Sequence, residues 1–246
     1  MNPSDTLKSV TKWEVEKKAS PEAIAKWNAA LRDQTPLEIV RWAIARANGR
    51  AVVSTNFRPY EAVLLHFCTQ VEPEIPVLWV DHGYNRPATY QHAEHLRKLL
   101  RLNLKAYLPT ITAAHRDAVH GPIPTADDEE GLKQFSALMK LEPFQRGMKE
   151  LAPVVWFTAL RKVQNPNRAG LDILSQDANF DTLKVSPVFN WSDAQMEACL
   201  NEHSLPNEWD YFDPAKADEK RECGLHVDWG KAAMGSSVQA LGSRDG

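Results

Sequence analysis

The first half of the chain alternates short apolar runs with longer amphipathic stretches. Apolar runs at 51–55, 76–81 and 104–108 predict strands, and the second does not alternate with polar residues, as expected for a strand covered on both faces. Helices are predicted between the strands, over 59–70 and 87–100. Strand–helix units in succession favour right-handed crossovers and an α/β fold with a parallel sheet and helices on both faces.

Two helices are predicted before the first strand, each from its starting signal. Ser20-Pro21 and Thr35-Pro36 both combine an N-cap residue with a proline at the first helical position. These signals predict helices over 21–32 and 36–48, the second of which ends at Gly49.

The second half of the chain continues the pattern less regularly. Its predicted elements, in chain order, are a polar mobile loop at 121–130, a helix over 131–150, strands over 154–160 and 182–188, and a helix over 192–203. Beyond residue 205 the sequence becomes polar and contains prolines, and 235–246 is predicted to be a disordered tail.

Composition is that of a soluble globular protein. Of the 246 residues, 43% are hydrophobic and 25% charged, which excludes a disordered chain, a coiled coil and a collagen-like fibre. The net charge of −3 leaves no general basic surface for nucleic acid. No apolar run reaches the roughly 20 residues that span a membrane, and residues 1–18 do not resemble a signal peptide. We therefore expect a cytoplasmic protein without a membrane or nucleic-acid partner.

Three cysteines, far apart and without a CxxC pair, argue against a disulfide framework and against a cysteine-ligated metal site. Cys68 and Cys199 lie in apolar surroundings and are predicted to be buried. Cys223 lies in the segment Lys220–His226, where two basic side chains and a histidine would stabilise a reactive thiolate while a glutamate would act against it. An exposed cysteine on a tail is the alternative interpretation.

Polar segments follow three of the predicted strands, where parallel sheets bind their ligands. They are Ser54–Phe57, Asp81–Tyr84 and Arg161–Arg168. The first precedes a helix N-terminus, whose backbone N–H groups favour an anion, and the third concentrates three cations. Each has a plainer interpretation: an ordinary connection, a carboxylate that caps a turn, and a solvated charged face. Lys140 and Arg146 would ordinarily be surface residues, and their position at the same sheet edge favours a functional role.

Four segments, in order, resemble the phosphoadenosine phosphosulfate (PAPS) reductases of the sulfonucleotide reductase family. Lys220–His226 resembles the family's C-terminal cysteine signature, and Pro76–Tyr90 resembles D-T-G-Y…P-E-T-Y. Lys140–Arg146 resembles K-V-E-P-x-x-R, and Trp156–Ala169 resembles W-F-x-G-L-R-R-x-Q-S-x-S-R-A. The likeness covers about residues 36–228.

The resemblance implies an adenine nucleotide alpha-hydrolase-like fold and a two-step reduction. The catalytic Cys223 thiolate would attack the sulfuryl sulfur and become S-sulfocysteine, from which reduced thioredoxin or glutaredoxin, as co-substrate, would release sulfite. The cysteine would lie in a mobile segment, 206–234, after a nucleotide-binding domain, 1–205, and related reductases are commonly homodimers. Residues implied in substrate binding are Ser54, Thr55, Asn56, Phe57, Arg58, Asp81, Gly83, Lys140, Arg161, Gln164, Arg168, Lys220, Arg221 and His226.

Departures from the family pattern bear on the substrate. The family's phosphate loop reads S-S-S-F-G-x-x-A, whereas Ser54–Glu61 replaces its glycine with Arg58.

Members that reduce adenosine phosphosulfate (APS) usually carry a [4Fe–4S] cluster, but Phe135 and Ser136 stand at two of its cysteine positions, so we expect no cluster and no metal. Cluster-free members mostly use PAPS, whose 3′-phosphate would need a cation, Arg58 or Arg168. A cluster-free APS reductase and a non-catalytic nucleotide-binding protein are the alternatives.

Overall fold

The computed structural model describes residues 19–168 and 170–215. Within those ranges, helices α1 to α8 cover Pro21–Leu31, Pro36–Ala47, Glu61–Val71, Pro87–Leu99, Ala113–His120, Glu129–Ser136, Glu142–Leu151 and Asp193–Glu202. Strands β1 to β6 cover Ala51–Thr55, Pro76–Val80, Asn103–Tyr107, Val155–Phe157, Leu174–Gln176 and Leu183–Val185. The predicted site residues Lys220, Arg221, Cys223 and His226, and the predicted tail, lie outside the described residues.

The six strands of the described ranges form one sheet in the order β3-β2-β1-β4-β6-β5. Strands β3, β2, β1, β4 and β6 run parallel to one another, with Val53 opposite Val77 on one side of β1 and Ala51 opposite Val155 on the other. The edge strand β5 pairs antiparallel with β6. The predicted parallel sheet is confirmed. The antiparallel strand is an addition, since three residues give too short a pattern to indicate a strand.

Helices cover both faces of the sheet, as predicted, because successive residues of a strand point to opposite sides. Val53 and Val77 belong to one core cluster, with residues of α2, α3, α4 and α8. Val52 belongs to the other, with Phe144 and Met148 of α7. Strand β1 is therefore buried from both sides, which fixes the position of the loop that follows it.

The first two helices begin at the predicted caps. Ser20 Oγ accepts a hydrogen bond from an N–H group of the first turn of α1, and Thr35 forms a reciprocal capping box with Glu38. Each helix ends one residue before its predicted end.

The helix predicted over 131–150 is two helices joined by a π turn. Helix α6 starts two residues earlier than predicted, and Ala137–Leu141 form the π turn before α7. Pro143 has no N–H group and its ring crowds the carbonyl of Met139, which interrupts the regular helical hydrogen bonds. The extra residue in the turn changes which side chains face inward, and Lys140 is buried.

Three other predicted elements were too long, and one helix was not predicted. Helix α5 precedes the loop predicted at 121–130, and its mostly polar sequence gives little periodic signal. Helix α3 begins at Glu61 rather than at 59, because Tyr60 adopts a positive φ of 71°. Residues 158–160 and 186–188, predicted as the ends of strands, form loops. In the part of the chain described, no helix combines the length and apolar character needed to cross a membrane.

Candidate active site

The carboxyl ends of β1, β2, β4 and β6 bring four loops to one edge of the sheet, residues 56–60, 81–86, 158–168 and 186–192. These loops hold the predicted residues that follow the strands, which are Asn56, Phe57, Arg58, Asp81, Gly83, Arg161, Gln164 and Arg168. A fifth segment, residues 206–215, packs across the same edge after α8. We call it the crossing segment.

A cleft of about 500 Å³ opens at this edge. Three of the predicted residues line it: Arg58, Arg161 and Gln164. Its aromatic wall, formed by Tyr60, Trp209, Tyr211 and Phe212, was not predicted. The cluster W-D-Y-F after the last helix is the sequence signal that could have indicated it, since closely spaced aromatic residues outside regular elements often line binding sites.

Arg161 is the buried cation of the cleft. Its guanidinium forms an ion pair with Asp193 at 2.7 Å and lies 5.1 Å from the centre of the Tyr60 ring. Its Nε atom finds no hydrogen-bond partner among the described residues. The Tyr60 hydroxyl donates to Glu197 at 2.9 Å, and burial together with Glu197 raises the pKa of Tyr60 to about 12. Arg161 therefore places a buried guanidinium, paired with Asp193, beside a neutral aromatic ring of the cleft.

Gln164 and Arg168 support Arg161 from within its own loop. Gln164 Oε1 accepts a hydrogen bond from the backbone N–H of Arg161 at 3.0 Å and another from Arg168 Nη1. The Arg168 side chain is buried and also donates to the carbonyl oxygen of Arg161. The loop is thus held by its own side chains. The structure places Gln164 at the cleft and Arg168 behind it.

The loop after β1 is organised around the buried carboxylate of Glu61. Glu61 Oε2 accepts hydrogen bonds from Thr55 Oγ1 at 2.8 Å and from the backbone N–H groups of Asn56 and Arg58. Burial raises the pKa of Glu61, while Arg58 and these donors oppose the rise. The N–H groups expected to bind an anion are therefore engaged by a carboxylate of the protein itself.

Two predicted residues of this region have side chains that point away from the cleft. The Phe57 ring is fully buried and packs edge-on against Trp79, so Phe57 belongs to the hydrophobic core. Ser54 Oγ accepts a hydrogen bond from Trp156 Nε1 at 2.8 Å. At both positions, the side chain contacts other residues of the protein rather than the cleft. A sequence motif alone does not distinguish such a structural role from ligand binding.

Asp81 caps the turn after β2, the plainer of its two interpretations. Its Oδ1 accepts hydrogen bonds from the N–H of Gly83, from Asn85 and from the Tyr90 hydroxyl at 2.7 Å. Gly83 has a φ of +77°, and an added Cβ would lie 3.1 Å from the Cβ of Ala113, so the position favours glycine. The turn sets the backbone that leads to α4.

Lys140 is buried in an ion pair with Asp213 of the crossing segment. Lys140 Nζ lies 2.7 Å and 2.8 Å from the two carboxylate oxygens, and the side chains are only 4% and 7% exposed. Burial alone would raise the pKa of Asp213, but Lys140 and the N–H of Ala215 hold it below its usual value. Burial and the charge of Lys140 lower the pKa of the neighbouring His82 to about 4. The predicted substrate lysine therefore already has an anionic partner.

The crossing segment forms one wall of the cleft and is fixed at several points. Asn207 Oδ1 accepts the backbone N–H of Tyr60 at 2.8 Å, and Asp210 forms an ion pair with Arg86. At its far end, Ala215 packs against residues of α6 and the π turn. The crossing segment ends at Ala215, eight positions before Cys223.

The cysteines among the described residues are unsuited to nucleophilic chemistry. Cys68 and Cys199 are both buried, as predicted. Burial raises the pKa of the Cys68 thiol, and burial with Glu202 raises that of Cys199 to about 11. Within residues 19–168 and 170–215, no group of three or more His, Cys, Asp or Glu side chains is arranged to hold a metal ion.

Comparison with known proteins identifies similar sequences over most of the chain. Residues 50–209 match the family model of the phosphoadenosine phosphosulfate reductase domain. The chain is 31% identical over 223 residues to the phosphoadenosine 5′-phosphosulfate reductase of Synechococcus sp., covering 81% of this chain and 95% of that protein. It is 35% identical over 226 residues to the protein of the same name from Citrobacter koseri, covering 83% and 91%.

Solved structures show the same fold. The phosphoadenylyl-sulfate reductase of Candida auris, in a phosphate complex, superposes with a TM-score of 0.68 at 24% identity, covering 78% of this chain and 90% of that chain. The FMN adenylyltransferase of Candida glabrata superposes with a TM-score of 0.51 at 16% identity, covering 83% and 62%. The expected adenine nucleotide alpha-hydrolase-like fold is confirmed.

Proposed function

Because the chain belongs to the phosphoadenosine phosphosulfate reductase family, we propose that it reduces PAPS to sulfite and adenosine 3′,5′-bisphosphate in assimilatory sulfate reduction. The observation that carries this proposal is the cleft at the carboxyl edge of the sheet, where buried Arg161 faces an aromatic wall. Aromatic side chains suit the nucleoside, and a fixed cation in a partly dry site stabilises the charge of a leaving phosphate.

Cys223 is the nucleophile of the proposed reaction. The crossing segment ends at Ala215, and the eight residues from there to Cys223 can span roughly 25 Å, enough to bring the thiol to the cleft. Neither buried cysteine competes for the role, since their raised pKa values keep both thiols protonated at neutral pH.

The reaction has two steps. The Cys223 thiolate attacks the sulfuryl sulfur, an S–S bond forms, and the S–O bond to the nucleoside phosphate breaks, which releases adenosine 3′,5′-bisphosphate. A thiolate of reduced thioredoxin or glutaredoxin then attacks Sγ of S-sulfocysteine and expels sulfite, and the second thiol of that protein resolves the mixed disulfide. The two electrons come from the dithiol, so the proposed reaction uses no iron–sulfur cluster.

Arg58 holds the 3′-phosphate in this proposal. Its side chain lines the cleft, whereas Arg168 is buried and its guanidinium is engaged with Gln164 and the carbonyl oxygen of Arg161. A cation at this point of the cleft gives PAPS an interaction that APS lacks. The position of Arg58 therefore supports PAPS as the substrate.

The proposal is tested by measuring sulfite release with PAPS and with APS in the presence of reduced thioredoxin. PAPS should be the better substrate, and the Cys223→Ser variant should release no sulfite with either nucleotide. Cys199→Ala, which removes a buried thiol, serves as the matched control and should keep the activity of the parent. Sulfite release by Cys223→Ser would contradict the proposal.

A further inference from the structure

Asp213 lies between the cleft and Lys140. Its side chain lines the cleft, whereas Lys140 is buried behind it with both carboxylate oxygens on its ammonium group. We infer that Asp213 is an internal competitor of the substrate: its carboxylate occupies the place at Lys140 that an anionic group of PAPS takes, and it leaves Lys140 when PAPS binds. This inference rests on the proposed function.

The burial of the pair makes the exchange selective for anions. The Lys140 side chain is 4% exposed, and a buried ammonium group without a partner is strongly unfavourable, so Asp213 cannot withdraw from Lys140 unless another anion replaces it. A sulfuryl or phosphate group that enters from the cleft replaces one negative charge by another. Binding of the substrate and departure of the carboxylate therefore occur together.

Two other attachments of the crossing segment, those of Asp210 and Trp209, are weaker. The ion pair of Asp210 with Arg86 is half exposed on both sides, where such pairs contribute little. Trp209 is 64% exposed and packs edge-to-face against the ring of Tyr60. Loss of the Asp213 contact thus removes a buried ion pair from the segment that leads to Cys223, and leaves the Asn207 hydrogen bond and the packing of Ala215 in place.

Glu61 is the other buried carboxylate of the site, and unlike Asp213 it is fixed in place. It lies in the first turn of α3 and accepts three hydrogen bonds from the adjacent loop. Asp213 lies outside any helix or strand, and its described hydrogen bonds come from Lys140 and from the N–H of Ala215. Only Asp213 is placed to move without unfolding a helix.

The first test compares PAPS binding in variants that carry Cys223→Ser, so that bound nucleotide is not consumed. Asp213→Asn, which keeps the shape and removes the competing charge, should bind PAPS about tenfold more tightly by calorimetry. Asp213→Glu keeps the charge and should stay within twofold of the parent. Asp210→Asn is the matched control, because it removes a carboxylate of the same segment that does not contact Lys140.

The second test needs no change at Asp213. Hydrogen exchange of a peptide covering 206–215, measured by mass spectrometry in the Cys223→Ser protein, should become faster when PAPS is added. This exchange measurement tests whether Asp213 leaves Lys140 even if the Asp213→Asn variant folds poorly.

The outcomes separate this inference from the proposed function. PAPS binding by the parent that is not tightened by Asp213→Asn, or slower exchange of 206–215 with PAPS, would overturn the competitor role and leave the function standing. Absence of PAPS binding in every variant would contradict the proposed function and the inference together.

Discussion

Arg58 replaces a glycine of the family pattern, and the structure gives the replacement a position at the cleft. Arg58→Met should lower kcat/KM for PAPS by roughly 10- to 100-fold, the loss expected when a charge-assisted hydrogen bond is removed. Turnover of APS, which has no 3′-phosphate, should stay within twofold. Lys162→Met, which removes an exposed cation nearby, should change neither value. An equal loss with both nucleotides would show that Arg58 does not recognise the 3′-phosphate.

His82 gives the protein a predicted pH dependence. Its Nδ1 accepts the N–H of Tyr84 at 3.1 Å and must be unprotonated to do so, and its pKa is lowered to about 4 by burial and Lys140. An unfolded histidine titrates near 6.5, so below that pH the unfolded chain binds a proton that the folded chain does not. The free energy of unfolding should therefore fall between pH 6.5 and about 4.

The His82 contribution is measured by urea unfolding at pH 7 and pH 5. The parent should lose about 2 kcal/mol from this residue over that interval. His82→Asn, whose amide oxygen can accept the same hydrogen bond, should lose correspondingly less. Equal losses in the two proteins would mean that His82 titrates normally in the folded state.

At the scale of single residues, the sequence predicts which polar and charged residues lie at the site better than it predicts the residues that they contact. Arg161 and Gln164 reach the cleft as expected, but Phe57 packs in the core. The partner of Lys140 is Asp213, 73 positions away. A contact at that separation depends on the tertiary fold and leaves no local pattern.

At the scale of elements, Gly147 sets how closely α7 approaches the sheet. An added Cβ would lie 2.9 Å from side-chain atoms of Leu78 and Tyr107, both buried. Gly147→Ala should lower the free energy of unfolding by about 1–3 kcal/mol through overpacking, despite the better helix propensity of alanine. Gly170→Ala, where an added Cβ would meet no described atom within 4 Å apart from its chain neighbours, should have little effect in the same urea titration. A more stable Gly147→Ala protein would contradict this packing.

Elements with strong local signals were predictable, and those determined by neighbours were not. The proline-containing caps at Ser20 and Thr35 locate the first two helices to within one residue. The π turn at Ala137–Leu141 needs knowledge of how Pro143 interrupts a helix, and the short β5 owes its existence to pairing with β6. Local pattern carries neither kind of information.

At the scale of the whole molecule, the sheet explains why the site is where it is. Parallel strands deliver their following loops to one edge, so a net charge of −3 is compatible with an anion site built from a few cations. That edge could be predicted from the order of strands and helices. The wall formed by the crossing segment could not, because the segment has no regular structure and follows no periodic pattern.

The proposed reaction depends on transfer of the sulfonate group of PAPS to Cys223. The most direct measurement is mass spectrometry of the intact protein after incubation with PAPS, and separately with APS, without any reductant. We expect one added sulfonate that maps to Cys223 and forms faster with PAPS, while the buried Cys68 and Cys199 stay unmodified as internal controls. Bound nucleotide with no sulfonate on Cys223 would contradict it.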